Sequence, residues 1–402
     1  MRLPRAIWGA LAAVVLATAV TVVALPSLDA LAFIVRAAGL PGAAATFAAW
    51  RSVPVTRGPR IEVPTRHGPV AGRLYQPARG RIRRAVTLVP GVHMDGIDET
   101  RLVGMAEDLA AEGFAVLTVA PPDLQRFRIT PASTDVIEDA ARWLAGQPAL
   151  AHDGRVGMLG ISFSGGLSIV AAGRPALRDQ VAYVLSFGGH GDLPRVMRYL
   201  CSGDAPAMPD LGEAREYVTG AEHVTIHPPH DYGVAVVLLG IADRGVVPPG
   251  QVEPLRTGIL TFLRASSLTL VDRAAAEREF ARAREYAATL PEPARTYMTW
   301  VNERAVDKLG PVLLPVVIGL GGDPALSPER ADPPTAPVFL LHGADDNVIP
   351  SVETVLLAAH LHDRTEVHAL LSTLITHAEV DRPPTASDLW TLVGFWRALM
   401  RI

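Results

Sequence analysis

From residue 60 onward, short apolar runs alternate with longer segments of helical periodicity, and this alternation limits the possible folds most strongly. The runs over 84–90, 114–122 and 180–189 are predominantly apolar, and any charged or amide side chain in them is at the first residue, as is typical of strands covered on both faces. Strands that alternate with helices of about 10–15 residues form parallel βαβ units with right-handed crossovers. We therefore expect a doubly wound, mostly parallel α/β sheet, opened by a pair of strands over 60–77.

The alternation stops near Gly191 and resumes at Pro337. The intervening residues have mostly helical spacing broken by proline and glycine, and the apolar run over 311–322 is too short to span a membrane. We predict one α/β core, with its first part over 60–190 and its second part over 337–402. A helical cap insertion over 191–336 interrupts it.

Close to the N-terminus lies an uncharged run of 20 residues, Ala6 to Leu25. As a helix rising about 1.5 Å per residue it would cross the roughly 30 Å hydrocarbon core of a bilayer. Arg2 and Arg5 precede the run, which places the N-terminus in the cytoplasm and the rest of the chain outside it. We predict a transmembrane anchor over 1–25; the alternative is a cleaved signal peptide and a secreted protein.

The next segment, residues 26–59, stays largely apolar but carries Asp29 and Arg36. A second membrane span is one possibility, although a mid-segment arginine is costly in a bilayer. We expect instead a membrane-proximal pair of short helices lying at the bilayer surface, with Trp50 at the interface.

Composition excludes several function classes. The 37 basic and 41 acidic residues are dispersed and give a net charge of −4, so nothing resembles a nucleic-acid-binding surface. The single cysteine, Cys201, cannot form an internal disulfide, and we expect it to be buried. Three histidines and an aspartate cluster over 223–231, but their irregular spacing and two prolines favour a cap loop over a metal site. No glycine-rich phosphate loop is present, so we predict no cofactor and no metal.

The stretch GRVGMLGISFSGG, residues 154–166, runs from a strand pattern into small residues. A nucleophilic serine on a sharp strand-to-helix turn needs small residues two positions before and after it. Around Ser162 these are Gly160 and Ser164. Ser164 is the alternative nucleophile, with Ser162 and Gly166 as its small neighbours. The strand pattern, which ends at Gly160, favours Ser162.

In an α/β fold of this kind the nucleophile is followed along the chain by an acid and then by a histidine, each after a late strand. Asp345 and Asp346 follow the apolar run that resumes at Pro337, and His377 follows the next strand. We predict that His377 accepts the proton of Ser162 and that an aspartate orients the imidazole.

Two residues that follow the strand over 180–189, His190 and Asp192, are alternative candidates for catalytic residues. Asp192 stands where the acid is sometimes placed, but Pro194 behind it favours the role of an N-cap for the next helix. His190 is interpreted either as a loop residue facing the cleft or as a catalytic one.

These residues and their order resemble the α/β-hydrolase superfamily, in its dienelactone-hydrolase-like, serine esterase branch. The resemblance covers about 60–191 and 337–402. It implies that the acid is Asp346, in HGADDNVIP, and that Asp345 caps the loop or bonds its backbone. It also implies an oxyanion hole formed by the backbone N–H groups of Phe163 and Val92. The His-Gly usual before Val92 is replaced here by Pro-Gly.

We therefore expect a serine hydrolase that cleaves carboxylic esters, with thioesters and acyl lipids as related substrates, by a Ser162–His377–Asp346 acyl-enzyme mechanism. Its partners would be a small or lipophilic ester and the membrane, with no nucleic acid. Two alternatives remain. One is a non-catalytic, membrane-tethered relative that binds or scaffolds. The other is a peptidase or carbon–carbon bond hydrolase that uses the same triad.

Overall fold

The computed structural model describes residues 24–269, 272–319, 322–375 and 385–402. The strands are β1 (Val55–Val63), β2 (Val70–Pro77), β3 (Ala85–Val89), β4 (Ala115–Val119), β5 (Val156–Ile161), β6 (Val181–Phe187), β7 (Val218–Thr219), β8 (Val338–Gly343) and β9 (Val367–Ser372). The helices are α1 (Leu25–Ala37), α2 (Ala43–Arg51), α3 (Thr100–Ala111), α4 (Pro122–Gln125), α5 (Pro131–Ala145), α6 (Phe163–Gly173), α7 (Leu193–Ser202), α8 (Leu211–Tyr217), α9 (Asp231–Ile241), α10 (Pro249–Leu268), α11 (Arg273–Thr289), α12 (Ala294–Glu303), α13 (Val306–Gly319), α14 (Val352–Leu361) and α15 (Ala386–Leu399).

All nine of these strands belong to one sheet, in the order β1-β2-β4-β3-β5-β6-β8-β9-β7. The pairs β1–β2 and β2–β4 are antiparallel, and the other pairs are parallel. Every residue of β3 and β4 is buried, in keeping with their predominantly apolar sequences. The predicted mostly parallel α/β sheet is confirmed. Its first strand begins at Val55, which corrects the predicted start of the core at Arg60.

Helices cover both faces of the sheet, so the fold is doubly wound. On one face, apolar side chains of α5, α6 and α14 pack into a single cluster with the sheet. On the other face, α1, α3 and α15 do the same. The core is thus a three-layer arrangement whose buried strands carry apolar side chains on both sides.

The helix α1 is docked on this core. Phe33 packs on Trp396 of α15 with a ring-centroid distance of 4.4 Å. Arg36 pairs with Asp108 of α3 and with Glu112, the residue that follows α3, at 3.3 and 2.6 Å. Trp50, at the end of α2, is 74% exposed. The segment predicted to be membrane-proximal therefore forms two short helices, one of which is part of the globular core.

None of the helices in the described ranges is both long and apolar enough to cross a bilayer. The predicted anchor lies outside the described residues, apart from its last two positions, Ala24 and Leu25. The possible second span over 28–50 is replaced by α1 and α2, which a turn at residues 38–42 separates.

The insertion between β6 and β8 is mainly helical. Its helices α7 and α9–α13 build an apolar cluster that also includes Phe163, Val348 and Ile349 of the α/β core. The helical content matches the mostly helical spacing of its sequence, but the insertion also contains a strand that was not predicted. After α8, Val218 and Thr219 form β7 and pair in parallel with Ala369 and Leu370 of β9. Part of the predicted cap thus returns to extend the sheet. A two-residue strand leaves no periodic pattern in a sequence.

Candidate active site

Ser162 occupies the turn between β5, which ends at Ile161, and α6, which begins at Phe163. Its backbone has φ 57° and ψ −133°, a conformation that costs an L-residue roughly 1–3 kcal/mol and is concentrated at functional sites. The Ser162 N–H donates a 2.7 Å hydrogen bond to the Phe187 carbonyl at the end of β6. The local structure is that of a strained strand–turn–helix elbow with a serine at its apex.

The two flanking positions explain why this turn can form. A Cβ atom at Gly160 would overlap the Ser164 carbonyl, so only glycine fits there. Ser164 is 0% exposed, and its hydroxyl accepts a 2.8 Å bond from the Ile161 N–H and lies 2.9 Å from the Val89 carbonyl oxygen. The Ser164 hydroxyl is therefore a buried structural group, which disfavours it as the alternative nucleophile.

The loop after β3 lies against the elbow. A Cβ built on Gly91 would lie 3.1 Å from the Ser162 Cβ and 3.3 Å from the Ile161 carbonyl oxygen. Val92 follows Gly91 in this loop, and Phe163, the first residue of α6, directly follows Ser162. The two residues predicted to supply the oxyanion hole are thus next to Ser162 and next to a loop residue that contacts it. Within the described residues neither N–H donates a hydrogen bond. Helix α6 also directs the positive end of its dipole to this point.

Asp346 lies in the loop between β8 and α14 and is 5% exposed. Its Oδ1 accepts hydrogen bonds from the N–H groups of Val348 and Ile349, at 2.8 and 3.1 Å. Two such bonds to one oxygen fix the orientation of the carboxylate. The prediction that Asp345 bonds the loop backbone is wrong. Asp346 makes these bonds, and Asp345 Oδ1 is buried without a hydrogen-bond partner in the described parts of the chain.

Strand register brings Ser162 and Asp346 to one edge of the sheet. Ile161 pairs with Phe187 and Phe187 pairs with Leu341, so β5, β6 and β8 end side by side. A Cβ built on Gly188, the residue after β6, would lie 3.6 Å from Asp346 Oδ2. The end of β6 is therefore in contact with both the serine turn and the acid loop.

His377 lies outside the described residues. Ile375 is the last described residue before it. The carbonyl oxygen of Ile375 lies so close to Gly343 that a Cβ atom built on Gly343 would overlap this oxygen. Gly343 is the last residue of β8, directly ahead of the acid loop. The chain therefore leaves β9 beside the acid loop, two residues before His377.

The remaining candidates have structural partners. Asp192 caps α7, as predicted, by accepting a 3.0 Å bond from the Arg195 N–H. His190 is 0% exposed and bonds the Leu326 carbonyl oxygen at 2.8 Å, and its burial lowers the pKa to about 4. Neither interpretation of His190 holds, because the ring is enclosed beside Phe163.

The histidine cluster of the cap forms a loop, as predicted. His230 caps α9 by accepting a bond from the Tyr232 N–H, and the His227 carbonyl oxygen accepts a 2.9 Å bond from the Tyr199 hydroxyl. No group of three metal-binding side chains occurs in the part of the chain that the structure describes. Cys201 is buried and unpaired, and burial raises the pKa of its thiol to about 12.

Sequence analysis missed His342, the residue before Gly343 at the end of β8. Its Nε2 lies 3.5 Å from Asp346 Oδ2, and the side chain is fully buried. A single polar residue at the end of an apolar strand was the available signal.

No family profile matches the sequence, and no curated protein matches it. A hyperthermophilic esterase from Pyrobaculum calidifontis is 16% identical with a TM-score of 0.42, covering 92% of this chain and 91% of its own. An acylaminoacyl peptidase from Pyrococcus horikoshii is 12% identical with a TM-score of 0.42, covering 86% of this chain and 41% of its own.

A third similar structure is described as a dienelactone hydrolase from Klebsiella pneumoniae. It is 12% identical with a TM-score of 0.41, covering 86% of this chain and 99% of its own.

The fold of the present chain is identified from its own strand order and from its serine elbow. The chain has the α/β-hydrolase fold. In this fold β5 leads into the turn of Ser162, the predicted nucleophile, and β8 precedes Asp346, the predicted acid. Residues 191–336 are the predicted cap.

Proposed function

We propose that this protein is a serine hydrolase of carboxylic esters, with thioesters and acyl-lipid esters as chemically related substrates. The observation that carries the proposal is the strained backbone of Ser162, at a turn against which the Gly91 loop is packed. A fold retains strain of this kind where the surrounding structure enforces it, and such positions concentrate at active sites. A purely scaffolding role gives no reason for it.

In acylation, the Ser162 Oγ attacks the ester carbonyl carbon while the imidazole of His377 takes the hydroxyl proton. The carbonyl oxygen becomes an oxyanion and is held by the N–H groups of Val92 and Phe163. When the tetrahedral intermediate collapses, the alkoxide leaves and receives the proton from His377. The acyl group remains on Ser162, and the carboxylate of Asp346 stabilises the imidazolium during the transfer.

In deacylation, the same groups act on water. His377 takes a proton from the water molecule as its oxygen attacks the acyl-enzyme carbonyl. The second tetrahedral intermediate expels Ser162, which recovers the proton, and the carboxylic acid is released. Atoms and charges balance with water as the only co-reactant, and the scheme needs no cofactor.

The surroundings of the elbow favour an apolar acyl group. Phe163 and the acid-loop residues Val348 and Ile349 belong to the same apolar cluster as the cap helices. Val92 and Met94, from the loop beside Ser162, are partly buried against that cluster. An acyl chain that reached Ser162 between cap and core would therefore contact mainly carbon atoms.

Turnover of p-nitrophenyl esters from acetate to decanoate tests the proposal. We expect hydrolysis by the wild-type chain, with kcat/KM rising over the medium chain lengths. Ser162→Ala should reduce the rate by a factor on the order of 10⁴, and the exposed-serine control Ser267→Ala should not change it. Faster turnover of peptide than of ester substrates would favour a peptidase. A folded wild-type protein that turns over neither would contradict the proposal.

We infer a location at the membrane, with the α/β-hydrolase domain outside the cytoplasm. The uncharged run from Ala6 to Leu25 and the arginines before it support this. Residues 37–50, a short distance further along the chain, are uncharged and mostly exposed, which also supports it. The full-length chain should stay in the membrane fraction after alkaline carbonate extraction, and Val15→Arg should release it. Mature protein that begins after residue 25 in the soluble fraction would support the secreted alternative.

A further inference from the structure

His342 is held by two hydrogen bonds, one in which its ring donates and one in which its ring accepts. Its Nε2 lies 2.9 Å from the carbonyl oxygen of Ile349, and its Nδ1 lies 2.7 Å from the hydroxyl of Thr354. A carbonyl oxygen can only accept, so Nε2 must carry a proton. In the neutral ring, the Thr354 hydroxyl then donates to Nδ1. Both partners stand on the acid-loop side of β8, and together they fix the plane and tautomer of the ring.

The same nitrogen, Nε2, is also close to the acid. It lies 3.5 Å from Asp346 Oδ2, while Oδ1 accepts the N–H of Ile349 at 3.1 Å. His342 therefore bonds the carbonyl group of Ile349, and the N–H of Ile349 bonds Asp346. This closed set of contacts joins the strand end, the loop and the carboxylate. All of its members are buried, where polar contacts are least screened.

His342 cannot itself be the general base of the site. Its side chain is 0% exposed, and both ring nitrogens are used by Ile349 and Thr354. Gly188 leaves no side chain between this ring and the end of β6: a Cβ there would lie 3.9 Å from the His342 Nε2 and 3.6 Å from Asp346 Oδ2. Histidine and carboxylate are thus packed together against the strand that contacts the serine turn.

We propose that His342 is a positioning residue for catalysis: its Nε2–H holds the Ile349 carbonyl group, and the N–H of Ile349 orients the Asp346 carboxylate so that the carboxylate can hold the catalytic imidazole. This inference rests on the proposed hydrolase function. A carboxylate rotated away from the imidazole stabilises the imidazolium less well. That change affects the transition state more than the binding of substrate.

Two substitutions of similar size separate positioning from packing. His342→Gln places its amide nitrogen near the position of Nε2 and keeps the donor toward the Ile349 carbonyl oxygen. His342→Asn places its amide nitrogen near Nδ1 and loses that donor. We expect His342→Gln to keep kcat within about 3-fold of wild type. His342→Asn should lower kcat about 10-fold, the equivalent of about 1.4 kcal/mol, with KM unchanged.

A pH profile adds a readout that packing alone would not move. A nearby carboxylate raises the pKa of an imidazole, so the acidic limb of the kcat profile should shift to lower pH in His342→Asn and stay in place in His342→Gln. Urea unfolding of both variants checks the fold. Equal kcat losses in the two variants, or an unmoved acidic limb in His342→Asn, would overturn the inference while leaving the hydrolase function intact. A folded wild-type protein without ester turnover would overturn both.

Discussion

The Ser164 hydroxyl lies 2.9 Å from the carbonyl oxygen of Val89 and 2.8 Å from that of Ile161, so its one proton is shared between the ends of β3 and β5. Val89 ends β3, ahead of the loop that contains Gly91 and Val92, and Ser164 follows the elbow. One buried hydroxyl therefore ties the nucleophile turn to the loop predicted to form the oxyanion hole. Glycine, the usual residue at this position of the motif, could not make these bonds.

Ser164→Ala removes these bonds and leaves the buried Ile161 N–H without its 2.8 Å partner. We expect the free energy of unfolding to fall by about 1–3 kcal/mol, the cost of an unsatisfied buried polar group. Urea unfolding measures this, and ester turnover should remain detectable. Abolished turnover in a variant of unchanged stability would instead point to Ser164 as the nucleophile.

Gly160→Ala should disrupt the elbow because the new Cβ overlaps the Ser164 carbonyl. We expect destabilisation of at least about 2 kcal/mol, as for other overpacked core positions, together with loss of turnover. Gly104→Ala is the matched control. Gly104 lies inside α3 with nothing within 4 Å of a built Cβ, so alanine there should stabilise by about 0.5–1 kcal/mol. Equal thermal midpoints for the two variants would refute this steric explanation.

Gly91→Ala tests the loop beside the nucleophile. The added methyl group would lie 3.1 Å from the Ser162 Cβ, close enough to displace either the serine or the Val92 N–H by a few tenths of an ångström. Since small misplacements near the reacting atoms are costly, we expect kcat to fall about 10-fold with little change in unfolding free energy. Gly250→Ala, where a Cβ meets nothing within 4 Å, serves as the control. Unchanged kcat would remove this loop from the proposed site.

His190 should make stability depend on pH. Burial lowers its pKa from 6.5 to about 4 in the folded protein, so between these values the unfolded chain binds a proton that the folded chain does not. Stability therefore rises with pH through this window and is lost as pH falls from 6.5 toward 4, by on the order of 3 kcal/mol in all.

The variant His190→Gln keeps a donor for the Leu326 carbonyl oxygen but does not titrate. Its free energy of unfolding, measured in urea at intervals from pH 7 to 4, should show a flatter slope than that of the wild-type protein. Identical slopes would mean that His190 is not kept neutral by the fold.

The sequence was sufficient to predict the sheet and the elbow because both depend on local patterns. The predominantly apolar runs of β3 and β4 mark strands covered on both faces, and the small residues at 160 and 164 mark the turn. Val218 and Thr219 were not predicted as a strand because two residues carry no periodicity. Their pairing with β9 depends on tertiary contacts that bring the end of α8 to the sheet edge.

The roles of single polar residues were harder to predict. Asp345 and Asp346 are adjacent and chemically identical, so only the fold decides which carboxylate meets the loop N–H groups. His190 was misinterpreted because its sequence position does not reveal that its ring is enclosed beside Phe163. His342 was overlooked for the same reason, since hydrogen bonds to Thr354 and Ile349 follow from folding and not from spacing.

The central claim, that the hydroxyl of Ser162 is the nucleophile, is tested most directly by mapping a covalent adduct. The folded full-length protein is treated with a fluorophosphonate, digested, and analysed by tandem mass spectrometry. We predict a single phosphonylated site at Ser162 at one equivalent per chain, absent from Ser162→Ala and present in Ser164→Ala. An adduct on Ser164 or another residue, or no adduct in folded wild-type protein, would contradict the claim.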